Sequence, residues 1–224
     1  MAIQGDHLVT GGQAGEICFW SIEEAAVEPR VIGTPGNQMP CKALAFLAAP
    51  CSLALGLEVL VLSVHADNRL RTWDVSDGKC VACSPDSLLP KHVRIDKVAI
   101  LEARLAALGG EIAEIIIVDC WIMSKIAVLS LGSPLASADY FPQGRMLAVL
   151  TSESQLKFWA LPDYSRYLVK DANAPQVNPN SVLQLTLQTE EKPHSLSMSP
   201  DGALVALAYE STISFIHRSW VSLI

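Results

Sequence analysis

The sequence has few basic residues and no cluster of them. It contains 16 lysines and arginines against 23 aspartates and glutamates, which gives a net charge of −7. A protein that binds nucleic acid or anionic lipid through its charges needs a concentrated positive surface, because phosphate contacts supply much of that affinity. The composition therefore predicts that the chain binds neither nucleic acid nor anionic lipid.

Motifs for catalysis and cofactor binding are also absent. The five histidines show no metal-ligand spacing of the His-Glu-x-x-His kind, and the sequence contains no Gly-x-Ser-x-Gly elbow, P-loop or dinucleotide fingerprint. The glycines at positions 11, 12 and 15 precede a strand pattern, whereas a dinucleotide site needs a helix there. We expect no catalytic residue, no metal and no cofactor, and therefore no enzyme.

Signals for secretion are missing, and one segment has the hydropathy of a membrane span. The N-terminus has no basic flank with an apolar core, and no Asn-x-Ser/Thr acceptor occurs. Residues 43–66 carry a single charge, Glu58, and pass a hydropathy test for a membrane helix. We prefer two buried strands separated by a turn at Pro50, because the second half is rich in β-branched valines. The prediction is a cytoplasmic protein without direct membrane insertion.

What the sequence does contain is a strand that recurs five times. The copies end at Trp20, Trp73, Val118, Trp159 and Ile216. Successive ends lie 53, 45, 41 and 57 residues apart, which brackets the repeat of roughly 40–45 residues expected for a WD40 blade. The repeat predicts an all-β fold, a WD40 β-propeller of about four to five blades.

Each copy contains two short strands joined by a small or acidic turn. Such turns fall at residues 65–68, 152–154 and 210–211, and an upstream strand leads into the turn Pro200-Asp201-Gly202. Outer strands are expected at three places after the repeat ends: residues 79–83, 125–129 and 167–170. Four short antiparallel strands in each unit are what a propeller blade requires.

Two segments complete this organisation. Residues 96–108 have leucines at helical spacing and residues that favour a helix, yet they occupy the place where the third unit needs two strands. We expect strands there, with a helix as the alternative. Residues 171–180 are polar and rich in proline, which predicts an inter-blade loop.

The two ends of the chain do not form complete blades in the sequence pattern. No strand is predicted before Leu8, and the chain stops about eight residues after the fifth strand end. A propeller without paired ends leaves open edges and apolar flanks. We therefore expect residues 1–224 to form a single partial propeller that is marginally stable or prone to association, with a closed five-blade ring as the alternative.

Two copies are more specific than a general repeat. The segments TGGQAGEICFW, at residues 10–20, and RTWDVSDGKC, at residues 71–80, resemble the first two blades of the rabconnectin-3 beta family. The third copy, EIIIVD, is similar to a blade in which that family has lost its tryptophan. Ser21 departs from the pattern, since an aspartate is expected after Trp20. The resemblance implies a non-catalytic scaffold that binds a rabconnectin-3 alpha-type partner and proton-pump subunits on vacuolar or endosomal membranes.

Likeness to WD40 proteins also implies a hydrogen-bond network within a blade. In that family an aspartate of the turn joins a histidine, a serine or threonine, and the tryptophan. Ser63, Asp67 and Trp73 supply three of these, and the Gly-His dipeptide that supplies the fourth is absent. We therefore assign structural repeat roles to seven residues: Trp20, Ser63, Asp67, Trp73, Asp74, Asp119 and Trp159.

Three further sets of residues have competing interpretations. Cys80 and Cys83 form a Cys-x-x-Cys motif without a second ligand pair, so we expect buried or half-buried thiols on opposite faces of a strand. The aspartates at turns and strand ends are expected to accept hydrogen bonds from turn amides. Candidate anchors for a partner are Arg69, Tyr164, Arg166 and Trp220. A propeller enzyme of the hydrolase kind, with a site in the central channel, is the alternative function.

Overall fold

The structure is a computed structural model that describes residues 1–22, 29–33, 39–47, 59–102, 104–162, 183–187 and 191–217. The regular elements within these ranges are all β-strands. In chain order they are β1 (Ala2–Gln4), β2 (His7–Gly11), β3 (Ile17–Ser21), β4 (Arg30–Gly33), β5 (Cys41–Phe46), β6 (Leu60–His65), β7 (Leu70–Asp74), β8 (Cys80–Cys83), β9 (Ile95–Glu102), β10 (Leu105–Gly110), β11 (Glu114–Asp119), β12 (Ser124–Ser130), β13 (Leu135–Phe141), β14 (Met146–Thr151), β15 (Gln155–Ala160), β16 (Leu183–Thr186), β17 (Ser195–Met198), β18 (Leu204–Ala208) and β19 (Ile213–His217).

These strands form five sheets in which sequence neighbours pair. Four sheets have the orders β1-β2-β3-β4, β5-β6-β7-β8, β12-β11-β10-β9 and β13-β14-β15-β16, and the fifth is β17-β18-β19 over the described residues. The chain divides into two compact units, Met1–Leu108 with Ile117–Ile126 and Gly109–Ile116 with Ala127–Ile224. The first two sheets belong to the first unit, the last two to the second, and residues of the third sheet are divided between them.

The recurring strand of the sequence is the third strand of every sheet. Strands β3, β7, β11, β15 and β19 each end one residue after the position that the repeat indicated. Strands β8 and β12 lie where outer strands were predicted. Residues 167–170 and the predicted loop 171–180 lie outside the described residues, and the fourth strand of the fourth sheet is β16.

The ambiguous segment is β-structure. Residues 96–108 lie within β9 and β10, so the strand prediction is confirmed. Ile95, Ala99 and Leu101 are buried on one side of β9, and every residue of β10 is buried. The helix propensity of this sequence is a weak preference, and pairing with the neighbouring strands of the sheet overrides it.

The prediction that no strand precedes Leu8 is wrong. Strand β1 pairs antiparallel with β2, with Ile3 opposite Leu8 and Gln4 opposite His7. Gly5 has a φ of +54°, which a two-residue hairpin turn accepts at glycine without steric cost. This strand has little signal in the sequence because three residues are too few to show an alternating pattern.

Each unit has its own core of alternating strand residues. In the first unit Val9, Ile17, Ile32, Phe46 and Trp73 belong to a cluster between the first and second sheets. In the second unit a cluster that contains Phe158 and Val205 lies between the fourth and fifth sheets. Over the described residues, no helix is long and apolar enough to cross a membrane. Of the apolar stretch 43–66, the described parts belong to β5 and β6 with their flanks, and the predicted turn at Pro50 lies outside the described residues.

Candidate functional site

A chain of buried hydrogen bonds crosses the second sheet. The indole N–H of Trp73 donates to Ser63 Oγ at 2.8 Å, and Ser63 Oγ lies 2.9 Å from His65 Nε2. His65 Nδ1 lies 3.1 Å from the carbonyl oxygen of Met39. Because a carbonyl only accepts, Nδ1 carries the proton and Nε2 accepts from the serine hydroxyl. The series Trp73–Ser63–His65, called the tryptophan chain below, is therefore satisfied at each link.

The strand geometry explains why these three side chains meet. Strands β6 and β7 are antiparallel, with Val61 opposite Trp73. Residues two apart in a strand share a face, so Val61, Ser63 and His65 all point to the side of Trp73. Ser63 and His65 have no exposed surface, and Trp73 is 4% exposed. Burial at these positions makes each hydrogen bond costly to lose, because water cannot replace the missing partner.

The surroundings of His65 favour its neutral form. Burial lowers the pKa of His65, and the hydrogen bond to the Met39 carbonyl opposes this shift only in part. The positive charge of Arg71 lowers the pKa further. In the neutral imidazole Nε2 is unprotonated and can accept the hydrogen bond from the Ser63 hydroxyl.

The ring of Trp73 packs on the first sheet. A Cβ built on Gly33 of β4 would lie 2.2 Å from Cζ3 of the tryptophan, so the ring occupies the space that a side chain at position 33 would need. Trp73 therefore links two neighbouring sheets of the first unit with its ring while its N–H enters the tryptophan chain.

Asp67 does not take the place that the WD40 likeness implied. Its carboxylate accepts hydrogen bonds from Arg71 at 2.6 and 3.1 Å and from the backbone N–H of Arg69 at 3.0 Å. Burial opposes ionisation of Asp67, but the bonds from Arg71 and Arg69 outweigh it, and the pKa is lowered. These hydrogen bonds join the Asp67 carboxylate to two arginines, and the Met39 carbonyl is the partner at the far end of the tryptophan chain.

The turn after β6 is fixed to the loop that follows β8. Asn68, with a φ of +55°, donates to the carbonyl oxygens of Val93, at 2.6 Å, and Pro90. The backbone N–H of Leu70 donates to Ser84 Oγ at 3.0 Å. At the rim of the same turn Arg69 forms an ion pair with Asp86, and their side chains are 39% and 54% exposed. This turn and loop, residues 66–71 and 84–94, are called the charged rim below.

The two strand-end aspartates hold turns, as expected. Asp74 Oδ1 accepts from the N–H of Ser76 at 2.8 Å, and Asp119 Oδ1 accepts from the N–H of Trp121 at 2.9 Å. The fully buried Asp119 Oδ2 also lies 2.9 Å from Arg104 Nη2, a contact with the distance of an ion pair but without hydrogen-bond geometry. Both carboxylates therefore have local partners within their own sheets.

The other two repeat tryptophans, Trp20 and Trp159, occupy corresponding positions in their sheets. Trp20 donates to Thr10 Oγ1 at 3.1 Å, with the same ten-residue spacing as Trp73 and Ser63, but the contact is only partly buried. In the fourth sheet Trp159 pairs with Leu147, and the position that would offer the hydroxyl is Val149. The contact between a tryptophan and a hydroxyl is thus present in the first two sheets. In the fourth sheet a valine stands where the hydroxyl would be.

The interpretation of the two strand cysteines is wrong. Cys80 pairs with Trp73 and Cys83 with Arg71, and a β-bulge at Val81 adds the extra residue between them. Paired residues of an antiparallel sheet share a face, so both thiols lie on the same face instead of opposite ones. Both cysteines are exposed. The Cys80 thiol is only partly desolvated, and this partial burial together with the neighbouring Cys83 raises the pKa of Cys80.

Sequence reasoning missed His65 and Asn68 as members of the site. The sequence placed His65 at the start of a turn, whereas β6 extends to His65, which therefore shares a face with Ser63 two residues earlier. The partners of both residues, Met39 and the loop at residues 90–93, are distant in sequence and carry no pattern. Of the candidate anchors, Arg69 lies in the charged rim, whereas Tyr164, Arg166 and Trp220 lie outside the described residues.

Comparison with known proteins identifies the fold. No family model matches the sequence, and no curated protein matches it. A chain in the crystal structure of a mitotic checkpoint complex is similar, with a TM-score of 0.70 and 15% sequence identity. The match covers 96% of this chain and 62% of that chain. Together with the antiparallel sheets, it shows that the fold is all-β and that of a WD40 β-propeller, as the repeat predicted.

Proposed function

We propose that the chain is a non-catalytic scaffold that binds other proteins, with the charged rim as its interaction surface. The observation that carries this proposal is the way the rim is held. Asn68 connects the turn to the loop at residues 90–93 through its hydrogen bond to the Val93 carbonyl, and Asp67 is held by Arg71. The side chains of Arg69 and Asp86 remain exposed.

A rim fixed in this way suits recognition. Surfaces that are ordered before binding lose less conformational entropy when a partner docks, and arginine is enriched among the residues that contribute most to binding energy. Arg69 is available to exchange its ion pair with Asp86 for a carboxylate of a partner. A partner with an acidic segment fits this position, because the guanidinium can donate two parallel hydrogen bonds to a carboxylate.

The contacts of the acidic residues support a role without catalysis. Asp74 and Asp119 accept hydrogen bonds from turn amides, and Asp201 accepts from the N–H of Ala203 at 2.9 Å. In the described part of the chain, no group of three or more histidine, cysteine, aspartate or glutamate residues is placed to hold a metal ion. The hydrogen bonds of these carboxylates favour structural roles for Asp74 and Asp119 among the seven repeat positions.

We further propose that the scaffold acts in a cytoplasmic complex that regulates assembly of the vacuolar proton pump. This proposal rests on the resemblance of residues 10–20 and 71–80 to rabconnectin-3 beta proteins. A net charge of −7 favours recruitment to vacuolar or endosomal membranes through protein contacts instead of anionic lipid. A rabconnectin-3 alpha-type protein and proton-pump subunits are the expected partners, and the assignment of residues 1–224 to one partial propeller stays a prediction.

Affinity purification tests both levels of the proposal. Tagged wild-type chain and the Arg69→Ala variant are used to capture partners from a cytosolic extract, with Lys125→Ala, an exposed position on β12, as the matched control. We expect Arg69→Ala to lose most of a partner that the wild type and the control retain. Capture of proton-pump subunits would support the proposed role in assembly of the vacuolar proton pump. Capture of a different stable assembly would support only the proposal that the chain is a protein-binding scaffold. Equal capture by all three chains would exclude the charged rim as the surface.

A further inference from the structure

The two cysteines of the Cys-x-x-Cys motif lie together on the last strand of the second sheet. Strand β8 ends the order β5-β6-β7-β8, and both of its cysteines are exposed. Cys80 pairs with Trp73 and Cys83 pairs with Arg71, so the two thiols share a face of the sheet. These two side chains are called the edge thiols below, and a small reagent can reach both of them.

The edge thiols have the spacing of residues two apart in a regular strand. Their partners Arg71 and Trp73 are two apart in β7, and the bulge at Val81 takes up the extra residue of β8. Two residues of a strand span about 6.4–6.8 Å, and the Cα atoms of a disulfide are about 4.4–6.8 Å apart. A bulge already bends its strand, so a small further bend of β8 brings the two sulfur atoms within bonding distance.

The hydrogen bonds of the two thiols show which of them must turn. Cys80 Sγ donates to the carbonyl oxygen of Ala82 at 3.2 Å, so this sulfur lies beside the peptide that leads into Cys83. Cys83 Sγ donates to the carbonyl oxygen of Ser84 at 3.7 Å, on the side away from Cys80. Rotation of the Cys83 side chain about its Cα–Cβ bond, with loss of this weak hydrogen bond, turns its sulfur toward Cys80.

Each edge thiol also has an arginine beside it. Partial burial and the neighbouring Cys83 raise the pKa of Cys80, and the positive charge of Arg71 opposes them. The carboxylate of Asp86 is the main cause of the raised pKa of Arg69, and Cys83 adds to it. A thiolate is the form of cysteine that attacks a disulfide, so a thiolate formed at either position has a positive charge close by.

We propose that the edge thiols are a reversible redox site, which a small disulfide such as oxidised glutathione converts to an internal disulfide between Cys80 and Cys83. The thiolate of one cysteine attacks the small disulfide, whose S–S bond breaks to release one small thiol that takes up the first proton. The other cysteine attacks the protein sulfur of the mixed disulfide and releases the second small thiol with the second proton. The two protein thiols are thereby oxidised, and the small disulfide is reduced to two thiols.

The shape of β8 makes the internal disulfide easy to reopen. The two Cα atoms start at the long end of the range for a disulfide, so closure leaves the strand bent beyond its reduced form. Strained disulfides are the more readily reduced ones, and they are typical of regulatory sites. Excess reduced glutathione should therefore return the edge thiols to the reduced state.

Closure of the disulfide also acts on the charged rim. Ser84 directly follows Cys83, and its Oγ accepts the hydrogen bond from the backbone N–H of Leu70. Movement of Cys83 toward Cys80 pulls on Ser84, so we expect this hydrogen bond to weaken. Regulation of partner binding through this movement rests on the proposed function of the rim, whereas the disulfide itself does not.

Oxidation of the full chain with excess oxidised glutathione tests the proposal. The remaining thiols are blocked with N-ethylmaleimide, and trypsin then releases both edge thiols in one peptide, residues 80–91, because lysines stand at positions 79 and 91. We expect this peptide to lose two hydrogen atoms and to carry no maleimide. Treatment with reduced glutathione before blocking should restore the form with two maleimides. A peptide that keeps both thiols free, or that retains glutathione without closing, overturns the proposal.

A matched variant tests the shared face. Ala82→Cys/Cys83→Ala has the same composition as the wild type, but residue 82 pairs with Thr72 and lies on the opposite face from Cys80. This variant should retain glutathione on its cysteines and form no internal disulfide. Closure as complete as in the wild type would overturn the argument from the strand register. Cys80→Ser and Cys83→Ser, which should each retain glutathione on the remaining cysteine, keep the test should the matched variant melt differently from the wild type.

Hydrogen exchange of the Leu70 amide, followed by NMR, tests the coupling to the charged rim. We expect this amide to lose protection when the wild type is oxidised and to keep it in Cys80→Ser under the same treatment. Unchanged protection in a chain whose disulfide has formed would overturn the coupling. Neither measurement uses a binding partner, so its failure is distinct from equal capture of a partner by wild type and Arg69→Ala.

Discussion

Trp73 and Ser63 are joined by a buried hydrogen bond of 2.8 Å between the indole N–H and the serine hydroxyl. The same two positions of the first sheet, Trp20 and Thr10, form a longer and partly exposed contact of 3.1 Å. Water can replace a lost hydrogen-bond partner only at a position that is accessible to solvent. The buried bond of Trp73 should therefore contribute more to stability than the partly exposed bond of Trp20.

Replacing Ser63 with alanine should therefore destabilise the chain more than replacing Thr10. Ser63→Ala leaves both the Trp73 N–H and His65 Nε2 buried without their partner, which should lower the free energy of unfolding by about 1–3 kcal/mol. Thr10→Ala should lower it by about 1 kcal/mol or less, because water can reach the Trp20 N–H. Urea unfolding of both variants measures the difference, and equal losses would contradict the proposed importance of the tryptophan chain.

The stability of the chain should fall as the pH drops below the ordinary pKa of histidine, 6.5. Folding lowers the pKa of His65. Below pH 6.5 the unfolded state therefore binds a proton at this histidine, whereas the folded state stays neutral until the pH is lower still. The loss contributed by one such histidine is at most about 1.4 kcal/mol per pH unit, and it is absent above pH 6.5, where both states are neutral.

Urea unfolding at a series of pH values checks this dependence. The His65→Gln variant should be less stable than wild type at neutral pH but should lose less stability on acidification. His92→Gln, at an exposed position, is the matched control and should retain the wild-type dependence. The role of His65 is wrong if His65→Gln and wild type lose stability in parallel.

Gly33→Ala should weaken the contact between the first two sheets. The added methyl group would lie 2.2 Å from the rigid ring of Trp73, and such overpacking costs about 1–3 kcal/mol. Gly12→Ala is a suitable control, because its nearest atom is a side-chain oxygen of Glu16, which can rotate away. Thermal melting should show a clear loss for Gly33→Ala alone, and similar melting of both variants would count against the packing of Trp73 on Gly33.

Thiol alkylation should divide the cysteines by their surroundings. Burial raises the pKa of Cys41 to about 11, and Cys120 has no exposed surface, so neither should react near neutral pH while the chain is folded. Cys80 and Cys83 are exposed and should be modified under the same conditions. Peptide mass spectrometry after iodoacetamide treatment identifies the modified residues, with a urea-unfolded sample as the control in which all of them react. Modification of Cys41 in the folded chain would refute the buried environment.

The sequence by itself determined the β-structure and its repeat. Alternation along short strands and turn residues that accept positive φ act locally, so the positions of β6, β7, β14, β15, β18 and β19 could be predicted from neighbouring residues alone. The strand β1 escaped prediction because three residues carry too little pattern, and residues 96–108 stayed ambiguous because helix spacing and strand pairing competed there.

Only the tertiary structure decided the partners of the polar residues. His65 bonds to Met39, 26 residues away, and Asn68 reaches Val93, 25 residues away, through loops without a periodic pattern. Asp67 pairs with Arg71 instead of joining the tryptophan chain, and a single extra residue at Val81 turns Cys80 and Cys83 to one face. A hydrogen bond depends on a few tenths of an ångström in position. Strand periodicity specifies which face a side chain occupies, whereas the packing of the sheets and loops decides which atom it meets.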